Sequence, residues 1–387
     1  MAAPDLLTYQ DLVDHLLRYS AGGGQDAVTT PIRAAIQTAY RDLLYGRNWN
    51  YYYAQYEVPL VAPYSTGTVV YDHTGGTYER MLTLSGGTWP TWAAYGKVII
   101  SGIIYDVESR KSNTELTLTE NSNPGADVSS IAYSIYRTTY TMPSDYRGSF
   151  SPVLESSNSQ LKYISPDQWN QLEIRERTAS TPTFWTLLGD PNTYASMAIV
   201  VHPAVSTAER MRFIYQRAPR QLRYDGYGSE RTGTVTISAA ATAVTGTTTT
   251  FLTEHIGSVI RFGTTSDVPT GISGLNPYKE QQTIGTYTSA TSIALSAAVT
   301  NAYSAVKYTI SDPIDVYPGT INALIRGIEY QFAIMTRQKD VDSAYSLYKE
   351  AKIQAYESDN HIAEPRTAAS LLRNNPGWTN PLGEDNT

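Results

Sequence analysis

Histidine and carboxylate side chains are the groups here with chemistry to offer, so their spacing comes first. Five histidines, His15, His73, His202, His255 and His361, stand far apart. No H-x-x-x-H or H-E-x-x-H pair sets two imidazoles on one helix face around zinc. Cysteine is absent, which excludes disulfides and thiolate metal sites. Two carboxylate pairs are closer. Glu173 with Glu176, or Asp106 with Glu108, could flank a glycosidic bond as acid and base, all that glycoside hydrolysis asks of side chains. Among 36 acidic residues such pairs also arise by composition alone. Gly96-Lys97 has the form of a phosphate-loop end, yet Thr91 replaces its first glycine and Val98 the magnesium-binding hydroxyl. No G-x-S-x-G nucleophile elbow occurs. Trp49 and the run Tyr51-Tyr52-Tyr53 could stack on sugars or bases, or form a packed corner after a helix. The expectation is a non-enzyme without catalytic residues, metal or cofactor.

The elements that must position any site are punctuated clearly. Thr8-x-x-Asp11 starts a helix whose apolar positions include Leu12, Val13, Leu16 and Leu17. After Gly22-Gly23-Gly24, Thr30-Pro31 starts a second, with Ile32, Ala35, Ile36, Ala39, Leu43 and Leu44 on one stripe. Near the other end, Pro318 opens a helix carrying Leu324, Ile325, Ile328, Phe332 and Met335. One more from about Asp342 turns Ala344, Leu347, Tyr348, Ala351 and Ala355 inward. None of these stripes is stable exposed, so the terminal pairs are expected to clasp into one split antiparallel bundle, left near Trp49 and re-entered near Asp312. Its predicted core is Leu12, Leu16, Ile32, Ile36, Leu43, Leu324, Ile328 and Phe332. Aspartate at Leu43 or Ile325 should unfold it.

Between these ends the pattern is β, and part of it is repeated. Gly67-Thr68-Val69 aligns with Gly233-Thr234-Val235, and Gly96-Lys97-Val98-Ile99 with Gly257-Ser258-Val259-Ile260. Leu116-Thr117-Leu118 aligns with Ile293-Ala294-Leu295, and Tyr133-Ser134-Ile135 with Tyr308-Thr309-Ile310. The order holds while the offset drifts, as duplication with loop changes predicts. The expected fold class is therefore α+β: the split bundle, a central β-sheet region, and two duplicated small barrels or sandwiches of four to six strands. The expected division is 1–56 N-terminal helix pair, 57–142 first module, 143–230 linking β domain, 231–312 second module, 313–361 C-terminal helix pair and 362–387 extended tail. A short helix is expected at 165–177. Composition predicts that the tail needs a surface to hold it, with Leu371, Leu372 and Trp378 as anchors on a partner, or else a path back along its own chain.

A net charge of −7 and pI near 5.3 speak against nonspecific nucleic-acid binding. No apolar run suits a membrane span, and the first residues lack the pattern of a signal peptide. Tyrosine outnumbers phenylalanine 31 to 6, a bias that suits surfaces becoming interfaces.

The helix pair "LTYQDLVDHLLRYS" and "TTPIRAAIQTAYRDLLYGRNWNYY", the middle runs "YTMPSDYRG", "LKYISPDQWNQL", "TPTFWTLLGD" and "VVHPAVSTAERMRFIYQRAP", and the hairpin "INALIRGIEYQFAIMTRQKDVDSAYSLYKEAKIQAYESD" resemble the head-to-tail adaptor proteins of tailed bacteriophages. The resemblance implies a homo-oligomeric ring, usually of twelve copies, made in the host cytoplasm and built into the virion neck. Its partners would be the portal protein, which the tail anchors Leu371, Leu372 and Trp378 would meet, and downstream nozzle, tail or fibre proteins. Double-stranded DNA would pass through unbound, and an acidic lumen would keep it from sticking. The two modules depart from the smaller adaptors. Alternatives are a tail fibre or spike subunit whose modules bind carbohydrate or fibres, and a cell-wall hydrolase acting through Glu173 and Glu176.

Overall fold

The computed structural model describes residues 6–19, 30–175, 179–190, 193–271 and 276–363, the side chains of 170, 173–175 and 361–363 excepted. The described chain is mixed α+β, with five α-helices and a majority of β-structure. It forms two compact units, Met1–Tyr52 with Pro219–Thr387, and Tyr53–Ala218.

Helix α1 (Tyr9–Tyr19) begins where the Thr8 amide and hydroxyl both donate to Asp11 Oδ2, at 2.8 and 3.0 Å, so one carboxylate satisfies a donor the first turn would orphan. Helix α2 (Thr30–Tyr45) follows. The second unit opens with β1 (Tyr53–Leu60) and continues through β2 (Thr68–Asp72), β3 (Met81–Ser85), β4 (Lys97–Ile100), β5 (Ile103–Arg110), β6 (Glu115–Leu118), β7 (Val128–Ile131) and β8 (Tyr133–Tyr136). It closes with β9 (Thr139–Thr141), β10 (Tyr146–Ser149), β11 (Val153–Leu154), β12 (Lys162–Tyr163), α3 (Pro166–Arg175), β13 (Phe184–Gly189), β14 (Met197–His202) and β15 (Glu209–Arg217). In the first unit come β16 (Thr234–Ile237), β17 (Ala243–Thr247), β18 (Val259–Phe262), β19 (Glu280–Ser289), β20 (Ser292–Leu295), β21 (Tyr303–Val306) and β22 (Tyr308–Ser311), then α4 (Ile321–Met335) and α5 (Val341–Ala363).

Two seven-stranded sheets follow one path. The first runs β7-β2-β3-β6-β5-β4-β8 and the second β21-β16-β17-β20-β19-β18-β22, each nearly closed like a barrel. Their details match. Gly67 and Gly233 sit at φ of +88° and +90°, where a Cβ would lie 2.2 Å from Ser85 O and 2.3 Å from Thr247 O, so only glycine fits. Tyr133 donates to Thr66 O at 2.9 Å, as Tyr308 donates to Thr232 O at 2.8 Å. Each tyrosine meets an aromatic edge-on, Trp89 in one sheet and Phe251 in the other. Seven strands exceed the four to six expected, because short edge strands β7 and β21 escape the periodicity.

One of the four segment alignments shifts by a residue. Strand pairing sets Val98 opposite Ile135 and Ile260 opposite Ile310, so Val98 corresponds to Ile260 rather than Val259. A one-residue slip exchanges the faces of a strand. Val98 and Ile100 point into one barrel core, Ile260 and Phe262 into the other, and Ile99 and Arg261 are the equivalent outward positions.

The linking region is a sandwich of two four-stranded sheets, β1-β15-β10 with β11 also on β15, and β12-β13-β14-β9. Val58, Met211 and Phe213 from one sheet meet Trp185, Ile199 and Val201 from the other in a shared core. This corrects the expected boundaries. Strands β1 and β9 belong to the sandwich, so the first barrel is inserted between them, and residues 219–230 go with the helices and second barrel. Backbone pairing decides this: β1 is registered along its whole length on β15.

Leu12, Leu16, Ile32, Ile36, Leu43, Leu324, Ile328 and Phe332 lie in a single buried cluster drawn from α1, α2, α4 and α5. Some apolar positions differ from the expected stripes. Leu347 is 44% exposed, Met335 lies 37% exposed at the end of α4, and Leu17 and Ile325 are half-buried at the cluster's edge. On α5 the buried face is made by Ala344, Tyr348, Ala351 and Ala355, and Leu347 lies off it. Leu43→Asp is therefore expected to abolish cooperative unfolding of the first unit, an unpaired core carboxylate costing several kcal/mol against a total of about 5–15. Ile325→Asp should lower the midpoint while leaving a folded protein, as read by urea denaturation.

Candidate interaction surfaces

Strand β18 reads Val-Ile-Arg-Phe, and its arginine has no place in an apolar strand unless something pairs it. Arg261 is 1% exposed. Its Nη1 and Nη2 donate to Asp11 Oδ1 and Oδ2 at 2.8 and 2.7 Å, a bidentate fork, while Nε donates to Gln281 at 3.1 Å and Nη2 also reaches Leu6 O. The neighbouring turn of α1 completes the joint. Gln10 receives Thr309 Oγ1 at 3.1 Å and donates to Pro269 O, and Asp14 accepts from Tyr227 Oη and the Gly271 amide. Burial pushes the Asp14 carboxyl up from its ordinary range, opposed by those two hydrogen bonds.

Asp312 is the second joint. It is 1% exposed, and its oxygens accept from Ser258 Oγ at 2.8 Å, Arg220 Nη2 at 3.1 Å and the amides of Arg223 and Tyr224 at 2.6 and 2.8 Å. Its own carbonyl accepts from the Tyr9 amide at 2.8 Å. One residue thus ties together the second barrel, the returning strand of chain and the start of α1.

Of the residues singled out for chemistry, those that the structure describes all contact neighbouring side chains or backbone. His15 pairs with Glu329 at 2.9 Å between α1 and α4, and Glu329 also takes Arg326. His73 lies against Tyr71 and receives from its hydroxyl or donates to it at 3.0 Å. His202 is buried edge-on to Trp169. His255 is buried edge-on to Tyr224, its Nδ1 accepting from the Leu252 amide. The side chain of His361 lies outside the described residues. Asp106 faces Lys97 at 3.5 Å and Glu108 faces Arg80 at 3.7 Å, each on the first barrel's surface. Lys97 is a strand residue paired across the sheet, so no phosphate loop forms around it. Glu176 and the Glu173 side chain fall outside the described residues, as do Leu371, Leu372 and Trp378. Among the described residues no cluster of three His, Asp or Glu could hold a metal ion. Trp49 and Tyr52 are 1% exposed, Trp49 donating to Leu43 O and lying against Tyr356, so that end of the aromatic run is a packed corner.

The first unit also carries a groove of about 840 Å³, bounded by Gln37, Thr38, Arg41, Asp42 and Tyr45 of α2 on one side and Pro219–Leu222 on the other. Tyr40 Oη donating to Arg220 O at 2.9 Å forms its floor.

No protein-family model and no curated protein matches the chain. No described helix is long and apolar enough to cross a membrane. The polar residues that matter most, Arg261, Asp312, Asp11 and Asp14, escape motif reading. A charge inside the run "SVIRFG" was the one available clue, since a buried cation must find its acid somewhere.

Arg261→Met alone should cost roughly 3–5 kcal/mol because it strands the Asp11 carboxylate, whereas Arg261→Met with Asp11→Leu should recover part of that loss, the Thr8 cap of α1 going with the carboxylate. Chemical denaturation of the two variants and the wild type checks this; equal loss in single and double variants would contradict the pairing. Burial pushes the His255 imidazole below its ordinary value of about 6.5. Folding is then at full strength above pH 6.5 and weakens as pH falls, because the unfolded chain takes a proton that the folded one refuses. Between pH 7.5 and 5.5 wild type should lose more stability than His255→Gln in paired urea titrations, and parallel curves would contradict the shift.

Proposed function

We propose that this chain is a structural subunit of a phage neck, a head-to-tail adaptor whose copies form a ring, usually twelve, between the portal and the tail. The terminal helices serve as a split bundle facing the portal, and the two barrels are docking faces for downstream nozzle, tail or fibre components. The second barrel's clasp carries this reading. There the buried Arg261 guanidinium, paired with Asp11 of α1, fixes a β module onto the helices, which suits a part that transmits load between partners. The sequence resemblance supports it independently through the helix pairs and the linking β region. A closed ring multiplies one weak contact, so individual interfaces need not be large. DNA would pass through the lumen without specific binding.

Native mass spectrometry of the purified protein with portal rings tests the reading. A complex whose adaptor count is a multiple of six is expected, and a free trimer would replace the reading with a fibre subunit. A chain cut after His361 should stay folded and fail to co-sediment with the portal, since the tail carries Leu371, Leu372 and Trp378. Continued co-sedimentation would remove the tail from the contact.

A further inference from the structure

The outer faces of α2 and α5 carry one pattern. Thr38, the adjacent Arg41 and Asp42, and Tyr45 line the groove on α2. Ser346, the adjacent Lys349 and Glu350, and Ile353 stand on α5 at the same spacing, offset by 308 (346 − 38 and 353 − 45). Each set reads hydroxyl, cation, anion, large apolar residue. On α5 all four are exposed, on the side opposite the buried Ala344, Ala351 and Ala355. On α2 only Thr38 is half-buried. Tyr45 and Ile353 are 44% and 49% exposed, so each has apolar surface left to bury.

The two helices run in one direction. Arg47, just beyond α2, meets Asp359 and Asn360 near the end of α5, while Asp42, further back in α2, is within electrostatic reach of Tyr348, further back in α5. Rotation about an axis along these helices keeps that direction, so α5 of the next copy in a ring also runs parallel to α2. Direction decides the electrostatics. Right-handed helices that face each other in parallel carry residues i and i+1 on opposite flanks, which sets Arg41 against Glu350 and Asp42 against Lys349. Antiparallel facing would set cation on cation. Asp42 accepts from Gln331 Nε2 of its own copy at 3.2 Å, and its remaining lone pairs stay open to an ammonium. The groove, about 840 Å³, has room for the Ile353 side chain against Tyr45.

We propose that the groove on α2 is the seat of α5 from a neighbouring copy, packed in parallel with Thr38 facing Ser346, Arg41 facing Glu350, Asp42 facing Lys349 and Tyr45 facing Ile353. The inference rests on the adaptor reading for its ring and names the contact between successive copies. Because the two faces are different surfaces of one chain, the contact is head-to-tail and repeats from copy to copy.

The chain contains no cysteine, so introduced thiols report single contacts. Thr38→Cys and Ser346→Cys are placed in separate full-length proteins of different tag mass, and concentrated mixtures are oxidised. Disulfide-linked heterodimers are expected, well above the like-with-like dimers formed by either protein alone. Adding Arg41→Glu to the first protein should cut the heterodimer yield about tenfold, two acids then facing each other, and adding Glu350→Arg to the second should restore it. No heterodimer, or a yield indifferent to the charge changes, would overturn the contact. A chain carrying both cysteines separates the contact from the adaptor reading. A covalent ladder that ends at a multiple of six is expected, whereas an open-ended ladder would keep the contact and remove the ring.

Discussion

A carboxylate taken out of water is tolerable only when donors surround it, and Asp312 has four of them on its side chain alone. They come from places the sequence separates widely. Ser258 belongs to the second barrel, Arg220, Arg223 and Tyr224 to the chain returning from the sandwich, and the Tyr9 amide on the carbonyl to the first helix. None of these can move away without leaving the charge short of a partner. The constraint therefore acts as a register pin: it selects one arrangement of barrel, return segment and helix among the many that would bury similar apolar area. Arg261 with Asp11 does the same one strand away, with a bidentate geometry that fixes orientation as well as distance.

The two barrels show how such a pin is added to a duplicated fold without disturbing it. Turn glycines, tyrosine-to-carbonyl bonds and edge-on aromatics are kept in both copies, because they close the sheet upon itself. The outward face carries the difference. Ile99 of the first barrel and Arg261 of the second occupy one structural position, and only the arginine commits its barrel to a helix. Inward positions answer to packing, so Val98 and Ile260 remain interchangeable in kind.

Much of the architecture was legible in the sequence because it depends on periodicity. The helix stripes, the glycines before β2 and β16 and the paired tyrosines all follow from local spacing. What stayed hidden depends on partners far away in the chain. The sandwich boundaries could not be read, since β1 pairs with a strand more than 150 positions later. The alignment of β4 on β18 slips by one residue because Gly96 and Gly257 look alike in sequence, yet Gly96 has an extended backbone and Gly257 a left-handed one. Leu347 was misplaced because periodicity gives the direction of a stripe and not its width. For the interaction surfaces, the arginine in an apolar strand was visible, but its acid was not.

The route of the chain also carries a schedule. The Gln10 amide donates to Ser311, 301 positions away, so the first unit is assembled from the two ends of a long polypeptide. A ribosome adding roughly 5–20 residues per second emits α1 and α2 some tens of seconds before their partners exist. The sandwich and its inserted barrel, contiguous from Tyr53 to Ala218, emerge in the interval and have everything they need. Newborn copies thus display an unclosed amphipathic helix pair until α4 and α5 emerge, so helices made early wait on helices made much later.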